Sequence, residues 1–415
     1  MASSNRSSLL LIFTTVFIDL IGFGIVIPVL PTYAEKFHAS PLTIGFLLAS
    51  FSLFQFLATP VLGRLSDKYG RRPILFLSLA GTSIAFLTMG LANSLWLLFA
   101  ARILDGITGG NISTAQAYIA DITTPENRAK GLGMVGAAFG LGFIVGPALA
   151  GLLSSFSYTA PFFFASALAA ANAILLYFRL PETVKRDRAF TAATSKRKPW
   201  EIFGTSAISG APVRIVLLTY FITTIAFATL TATLALFTSH SEQFSYDANH
   251  NGYVFTFVGI LGAIIQGGLL GRLVKKFGES SLVIVGLTSL GLGLAFLPFA
   301  TGLYGLLGAL ALIANGNSLT GPNLTALASK RTAKDKQGEI LGVTQSLNSL
   351  ARIIAPIIGN LLLGVGLNRA AATLGDKAVA PGSSMAAPFL VSAAITAIAL
   401  AFSAYYKAKW GSSAG

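Results

Sequence analysis

Apolar residues dominate this chain in long runs, separated by short polar or charged breaks. A run of about 20 apolar residues is long enough to cross a bilayer as a helix. The pattern predicts twelve spans, at 9–30, 42–63, 73–92, 95–121, 129–153, 160–180, 211–238, 250–271, 281–300, 303–328, 338–366 and 385–406. Pro28 and Pro31 lie at the end of the first span, where a signal peptide would have small residues, so we expect this span to be retained. The predicted fold class is all-α integral membrane.

Composition supports a lipid environment. Hydrophobic residues make up 54% of the chain and charged residues 11%, whereas soluble proteins carry about a quarter charged residues. The absence of cysteine excludes disulfides, thiol catalysis and cysteine-bound metals. The three histidines fall at predicted outer loops or their edges, at His38, His240 and His250. We therefore expect no metal site and no cofactor.

The positive charges lie on one side of the predicted topology. If both termini are cytoplasmic, the opposite side holds only Lys36, Arg369 and Lys377. This asymmetry follows the positive-inside rule, so it predicts cytoplasmic termini and explains the net charge of +14. A nucleic-acid-binding protein would instead need a soluble basic face with stacking aromatics, so we expect no nucleic-acid partner.

Two stretches of the chain repeat at nearly one offset. "GRLSDKYGRR" at 63–72 recurs as "GRLVKKFGES" at 271–280, and "IVGPALAGLL" at 144–153 recurs as "IIAPIIGNLL" at 353–362. The repeat predicts a six-helix bundle over 1–180, a cytoplasmic linker over 181–210 and a second six-helix bundle over 211–415. Duplicated halves of this kind are typical of secondary transporters. The chain has no G-x-x-x-x-G-K-(S/T) loop for nucleotide phosphates, so an ion gradient is the expected energy source.

Several motifs are similar to those of the major facilitator superfamily. "GRLSDKYGRR" resembles its loop between helices two and three, G-x-L-x-D-(R/K)-x-G-(R/K)-(R/K), and "LFAARILDGITGGN" resembles its L-x-x-x-R-x-x-x-G motif with Arg102 and Gly106 in place. "GFIVGPALAG" resembles the antiporter signature G-x-x-x-G-P-x-x-G-G and departs from it only at Ala150. The matching signature residues are Gly142, Gly146, Pro147 and Gly151. "FIDLIGFGIVIPVLP" and "AYIADITTPENRAKGLG" are close to stretches of the tetracycline/proton antiporters.

The resemblance implies a transporter rather than an enzyme. It implies two pseudo-symmetric six-helix bundles, with proton-coupled efflux of amphipathic organic or drug-like molecules by alternating access. The alternative is a facilitator or proton symporter for an organic anion or sugar, which Arg352 would suit. The expected partners are a small-molecule substrate, protons and the lipid bilayer, for a monomer in a bacterial inner membrane.

Four charged residues lie well inside the predicted spans: Asp19, Arg102, Asp105 and Arg352. Such residues are costly in lipid, so they normally pair and face a cavity. Arg102 and Asp105 are three apart and share a helical face, and Gln116 falls within about 60° of both on a 3.6-residue wheel. The resemblance implies that helices one and four line the central cavity, where Asp19 would meet Arg102 and act as the proton switch. A static structural pair is the alternative.

Candidate substrate-binding residues lie in the second half. Gln345, Asn348 and Arg352 form one polar stripe on the eleventh span. Arg352 could bind an anionic group of the substrate or neutralise Asp105. Thr219 and Thr223 on the seventh span resemble the wall of a hydroxyl-rich pocket, although threonines in membrane helices also hydrogen-bond their own backbone.

The loop at 63–72 suggests a conformational latch. Tight turns need glycine, which predicts turns at Gly63 and Gly70. The resemblance implies that Asp67 accepts hydrogen bonds at the start of the eleventh helix, that Arg71 pairs with Asp121, and that these contacts join the halves. A cluster that only sets topology is the alternative. In the repeat Lys275 replaces Asp67 and Glu279 replaces Arg71, so we expect the second copy to keep the turn and lose the latch.

Overall fold

A computed structural model of the chain describes residues 3–183, 208, 210–333, 336–374 and 381–410. The predicted linker at 181–210 therefore lies largely outside the described residues. The described α-helices, α1 to α14 in chain order, are Ser3–Glu35, Pro41–Tyr69, Arg71–Gly90, Leu95–Thr108, Asn111–Ile122, Pro125–Ser154, Ala160–Arg179, Ala211–His240, Ala248–Ala263, Leu270–Phe277, Glu279–Phe296, Gly302–Lys330, Gln337–Leu374 and Ala387–Trp410.

The helices confirm the predicted fold class. Within the described residues, 11 helical segments are long and apolar enough to cross a membrane. The remaining predicted span, 95–121, is divided between α4 and α5, which meet at Gly109 and Gly110. The eighth span is also irregular, because a π-helical segment at Ile264–Leu269 joins α9 to α10. Both irregular segments contain two consecutive glycines, which weaken a regular helix.

The chain divides into two compact units. Unit 1 comprises Met1–Ala39, Ser50–Ser195 and Asp247–Thr256, and unit 2 comprises Ser40–Ala49, Lys196–Tyr246 and Phe257–Gly415. In unit 1 the buried core includes Ile12, Leu79 and Tyr118. In unit 2 it includes Leu287, Leu327 and Ile340. Each unit therefore has an apolar core of its own, and the functional residues are described below unit by unit.

Glycines bring α1 and α6 together in unit 1. A Cβ atom added at Gly146 would lie 2.8 Å from the Cα atom of Gly24, and one added at Gly142 would lie 2.5 Å from the Cβ atom of Leu20. Pro147 lies inside α6. The antiporter-like signature thus packs directly beside Asp19, because close helix approach in membranes depends on small residues.

Candidate functional site

The turn between α2 and α3 is made by one of the two predicted glycines. Gly70 has φ 108° and ψ 152°, a conformation open almost only to glycine, and it precedes α3. Gly63 does not make a turn, because α2 continues through it to Tyr69. A Cβ added at Gly63 would meet nothing within 4 Å. The prediction of a turn at Gly63 is therefore wrong, since one positive-φ residue reverses the chain here.

Arg71 joins the start of α3 to two acids. Its Nη1 atom lies 2.7 Å from Oδ1 of Asp67, and its Nε atom lies 3.2 Å from Oδ2 of Asp121 at the end of α5. Nη1 also donates to the Ser66 hydroxyl at 2.6 Å. The structure brings Arg71 and Asp121 together as expected, but both belong to unit 1. This pair therefore ties two helices of one unit together, while the contact of Asp67 with the eleventh span stays a prediction.

Glu182 is a part of this cluster that sequence reasoning missed. Its two carboxylate oxygens accept hydrogen bonds from the backbone N–H groups of Arg71 and Arg72, at 2.9 and 3.1 Å. These bonds satisfy free N–H groups at the start of α3, where the helix dipole favours an anion. The Thr183 hydroxyl donates to Asp121 at 3.1 Å. The sequence feature that could have indicated this contact is the acid in "LPET", directly after the sixth predicted span.

Unit 2 contains a related cluster with its charges exchanged. Gly278 has φ 74° and ψ 156° and precedes α11, as Gly70 precedes α3. Glu279 accepts a hydrogen bond from Nζ of Lys330 at 2.5 Å. Glu279 is the repeat of Arg71 at an offset of 208, and Lys330 is the repeat of Asp121 at an offset of 209. Both partners changed sign together, so the second copy keeps an ion pair within unit 2, and the expected loss of the latch stays a prediction.

The buried charges of unit 1 meet around α4. Nη1 of Arg102 donates to Oδ2 of Asp105 at 2.9 Å, and the two residues are 2% and 5% exposed. The guanidinium also lies over the Phe51 ring, 4.4 Å from its centroid. Asp19 of α1 is half-buried and interacts electrostatically with Asp105 and with the Asn111 side chain. The salt bridge of Arg102 thus forms within α4, rather than with Asp19 as expected.

The fourth span is broken between α4 and α5. Nε2 of Gln55 on α2 donates to the Gly109 carbonyl at 2.7 Å. A Cβ added at Gly110 would lie 3.1 Å from the Cα atom of Thr59, so α2 approaches the break closely. Gln116, which follows the break, is exposed, whereas Arg102 and Asp105 are buried. The prediction that Gln116 shares their face assumed one continuous helix, and across this break it stays a prediction.

A polar cluster in unit 2 joins α8 and α13. Nδ2 of Asn348 donates to the Tyr220 hydroxyl at 3.3 Å, and Arg352 interacts electrostatically with the same tyrosine. Asn348 and Arg352 are half-buried, while Gln345, one turn earlier, is exposed. The predicted stripe is therefore present on α13, and Tyr220 of α8 is an additional partner in this cluster.

The threonines of α8 bond their own helix. The hydroxyl of Thr219 donates to the Ile215 carbonyl at 2.8 Å, and that of Thr223 donates to the Thr219 carbonyl at 2.7 Å. Both side chains are buried. A cavity of about 10 Å³ beside Thr219 could hold at most one water molecule. The structure thus shows the backbone-bonded alternative for these two residues.

Comparisons with known proteins agree with this architecture. A sequence model of the Major Facilitator Superfamily matches residues 12–356. The class C tetracycline resistance protein of Escherichia coli is 36% identical over 363 residues, covering 85% of this chain and 89% of that protein. Multidrug resistance protein 1 of Bacillus subtilis (strain 168) is 32% identical over 364 residues, covering 87% of this chain and 91% of that protein.

A solved structure shares the fold. A bacterial homolog of the human lysosomal transporter Spinster, in an inward-facing and unoccupied conformation, matches with a TM-score of 0.79. The alignment covers 98% of each chain at 15% sequence identity. Similarity at this identity concerns the fold and carries no information on substrate.

Proposed function

The chain belongs to the major facilitator superfamily, and we propose that it exports amphipathic, drug-like molecules in exchange for protons by alternating access. It is a membrane transporter and not an enzyme. Its relatives include a tetracycline resistance protein and a multidrug resistance protein. These relatives do not favour the alternative of a facilitator or symporter for an organic anion or sugar. We place it in a bacterial inner membrane, as a monomer with both termini cytoplasmic.

One observation carries the proton-coupled part of the proposal. Asp19 and Asp105 interact with each other in the membrane interior of unit 1, and Arg102 forms a salt bridge with Asp105. Two carboxylates and one guanidinium carry a net charge of −1 when all are ionised, and binding one proton makes the group neutral. Charge inside a membrane is costly, so moving between these two states suits a proton carrier. In this proposal Asp19 is the carrier, and the Arg102–Asp105 pair sets its surroundings.

The remaining predicted site residues take the substrate and latch roles. We assign the substrate contacts to Gln116, Gln345, Asn348 and Arg352. We add Tyr220 because it interacts with Asn348 and Arg352 in the structure. Thr219 and Thr223 contribute by shaping α8 rather than by donating to substrate, because their hydroxyls are already used. Asp67 remains the proposed contact to the eleventh span.

The test is tetracycline flux, with the accompanying pH change, in proteoliposomes. Asp19→Asn is expected to abolish transport driven uphill by a pH gradient while retaining downhill exchange, because a neutral amide cannot carry the proton. Asp105→Asn is the matched control and is expected to have a milder effect. Undiminished proton-coupled flux in Asp19→Asn would contradict the proposal and make Asp105 the leading candidate.

A further inference from the structure

Asn111 occupies an unusual place at the break in the fourth span. It is the first residue of the twelve-residue helix α5 and is 1% exposed. Neither Nδ2 nor Oδ1 of its amide has a hydrogen-bond partner of standard geometry within the described residues. Leaving a buried amide unsatisfied is costly, so such a group in a membrane protein requires an explanation.

The group that approaches this amide is the carboxyl of Asp19. Asp19 interacts with the Asn111 side chain and with Asp105, from the neighbouring helix α1. Arg102 is already bonded to Asp105 and stacked on Phe51. Asp105 is the charged side chain that interacts with Asp19 among the described residues, and its carboxylate already pairs with Arg102. The neutral amide is therefore the hydrogen-bonding group left for Asp19.

The helix break adds to the same environment. The first N–H groups of a helix have no partner within the helix and carry partial positive charge. The residue before α5 is Gly110, which offers no side chain to cap them. Broken membrane helices commonly direct such ends towards anionic groups. Gln55 and the close approach of α2 fix the position of the break.

We propose that Asn111 is the positioning residue for the proton carrier Asp19, an inference that rests on the proposed function. An amide is both a donor and an acceptor. Its NH2 group donates to the ionised carboxylate, and its carbonyl oxygen accepts from the protonated carboxyl, so one side chain serves both states. In this proposal, the hydrogen bond between Asn111 and Asp19 shortens in one step of the transport cycle and lengthens in another, which is consistent with the absence of a hydrogen bond of standard geometry in this structure.

The test replaces the amide without changing its size greatly. In Asn111→Leu we expect tetracycline flux driven by a pH gradient to fall about tenfold, because a bond to a charged group is lost. The pH of half-maximal flux should move upward by about one unit, since the ionised carboxylate loses its donor. Counterflow at equal pH should stay within about twofold, because it needs no net proton movement. Asn111→Gln, which keeps the amide, should restore part of the coupled flux.

Asn172→Leu is the matched control. Asn172 of α7 is also buried, its Nδ2 atom also lacks a partner, and its Oδ1 atom accepts from Thr15 of α1. We expect Asn172→Leu to leave the pH profile unchanged.

Two results would overturn the role of Asn111. One is an equal shift of the pH profile in both leucine variants, and the other is unchanged transport by Asn111→Leu while Asp19→Asn is inactive. Full activity of Asp19→Asn would instead contradict the proposed function itself. Should Asn111→Leu fail to fold, Asn111→Ser is tested in its place, and an unchanged pH profile in that variant would equally overturn the inference.

Discussion

The turn before α3 and the turn before α11 are two copies of one structural motif that carry different charges. Each begins with a glycine in a conformation that other residues avoid, Gly70 or Gly278. Each follows it with a charged residue paired to the end of the next predicted span, Arg71 to Asp121 and Glu279 to Lys330. Because the sign is exchanged and the pairing is kept, the pairing rather than the sign is what the turn requires.

The first copy carries acids that the second lacks. Asp67 pairs with Arg71, whereas its repeat is Lys275. Glu182 also accepts hydrogen bonds from the backbone N–H groups at the start of α3. We infer that the second turn is structural, while the first combines the same structure with the latch.

The largest effect is expected at Asp67. Asp67→Asn should lower tetracycline transport about fivefold or more, because it removes a charge proposed to act at the start of the eleventh helix. Folding and membrane insertion should be retained. Lys275→Gln is the matched change in the second copy and should transport at nearly the unchanged rate. Equal behaviour of the two variants in vesicle flux would remove the functional difference between the turns.

A smaller difference is expected between the two glycines. Gly70→Ala and Gly278→Ala both force alanine into a strained conformation that costs about 1–3 kcal/mol. At Gly70 the new Cβ would also contact the Glu182 carboxylate, whereas at Gly278 it would meet nothing within 4 Å. Gly70→Ala should therefore lower the Tm of the detergent-solubilised protein more than Gly278→Ala. The reverse order would contradict the role of Glu182 as a cap.

The smallest effect concerns the sign of the second pair. Glu279→Lys places two cations together and should lower the Tm slightly, since exposed ion pairs contribute about 1 kcal/mol or less. The double variant Glu279→Lys with Lys330→Glu should restore the Tm. The corresponding exchange of Arg71 and Asp121 should restore it only in part, because Arg71 also pairs with Asp67 and Asp121 also accepts from Thr183. Full restoration in both turns would show that the two clusters are equivalent.

The membrane spans were predictable because a bilayer requires long apolar helices. The ion pair with exchanged charges in unit 2 could also have been predicted from the internal repeat. Glu279 and Lys330 stand at the offsets of Arg71 and Asp121, so pairing by offset would have found them. The break at Gly109 was not predictable, since two glycines are also tolerated inside membrane helices. The helical wheel that grouped Gln116 with Arg102 assumed one continuous helix across this break.

The roles of individual polar groups were harder to predict than the spans. Glu182 reaches α3 from more than a hundred residues away in the chain, so no local pattern indicates the contact. The threonines of α8 could bond substrate or backbone with the same sequence, and only the structure distinguishes the two. Arg102 forms its salt bridge with Asp105 on its own helix rather than with Asp19 on α1.

The central claim is exchange of drug against protons, and its most direct test is the direction of coupled flux. Proteoliposomes are prepared with the cytoplasmic face outward, an acidic lumen and tetracycline in the medium. The account predicts that tetracycline accumulates in the lumen against its gradient while the lumen becomes less acidic, and that collapsing the pH gradient stops the accumulation. Movement of tetracycline and protons in the same direction, or accumulation of tetracycline that does not depend on the pH gradient, would contradict the exchange of drug against protons.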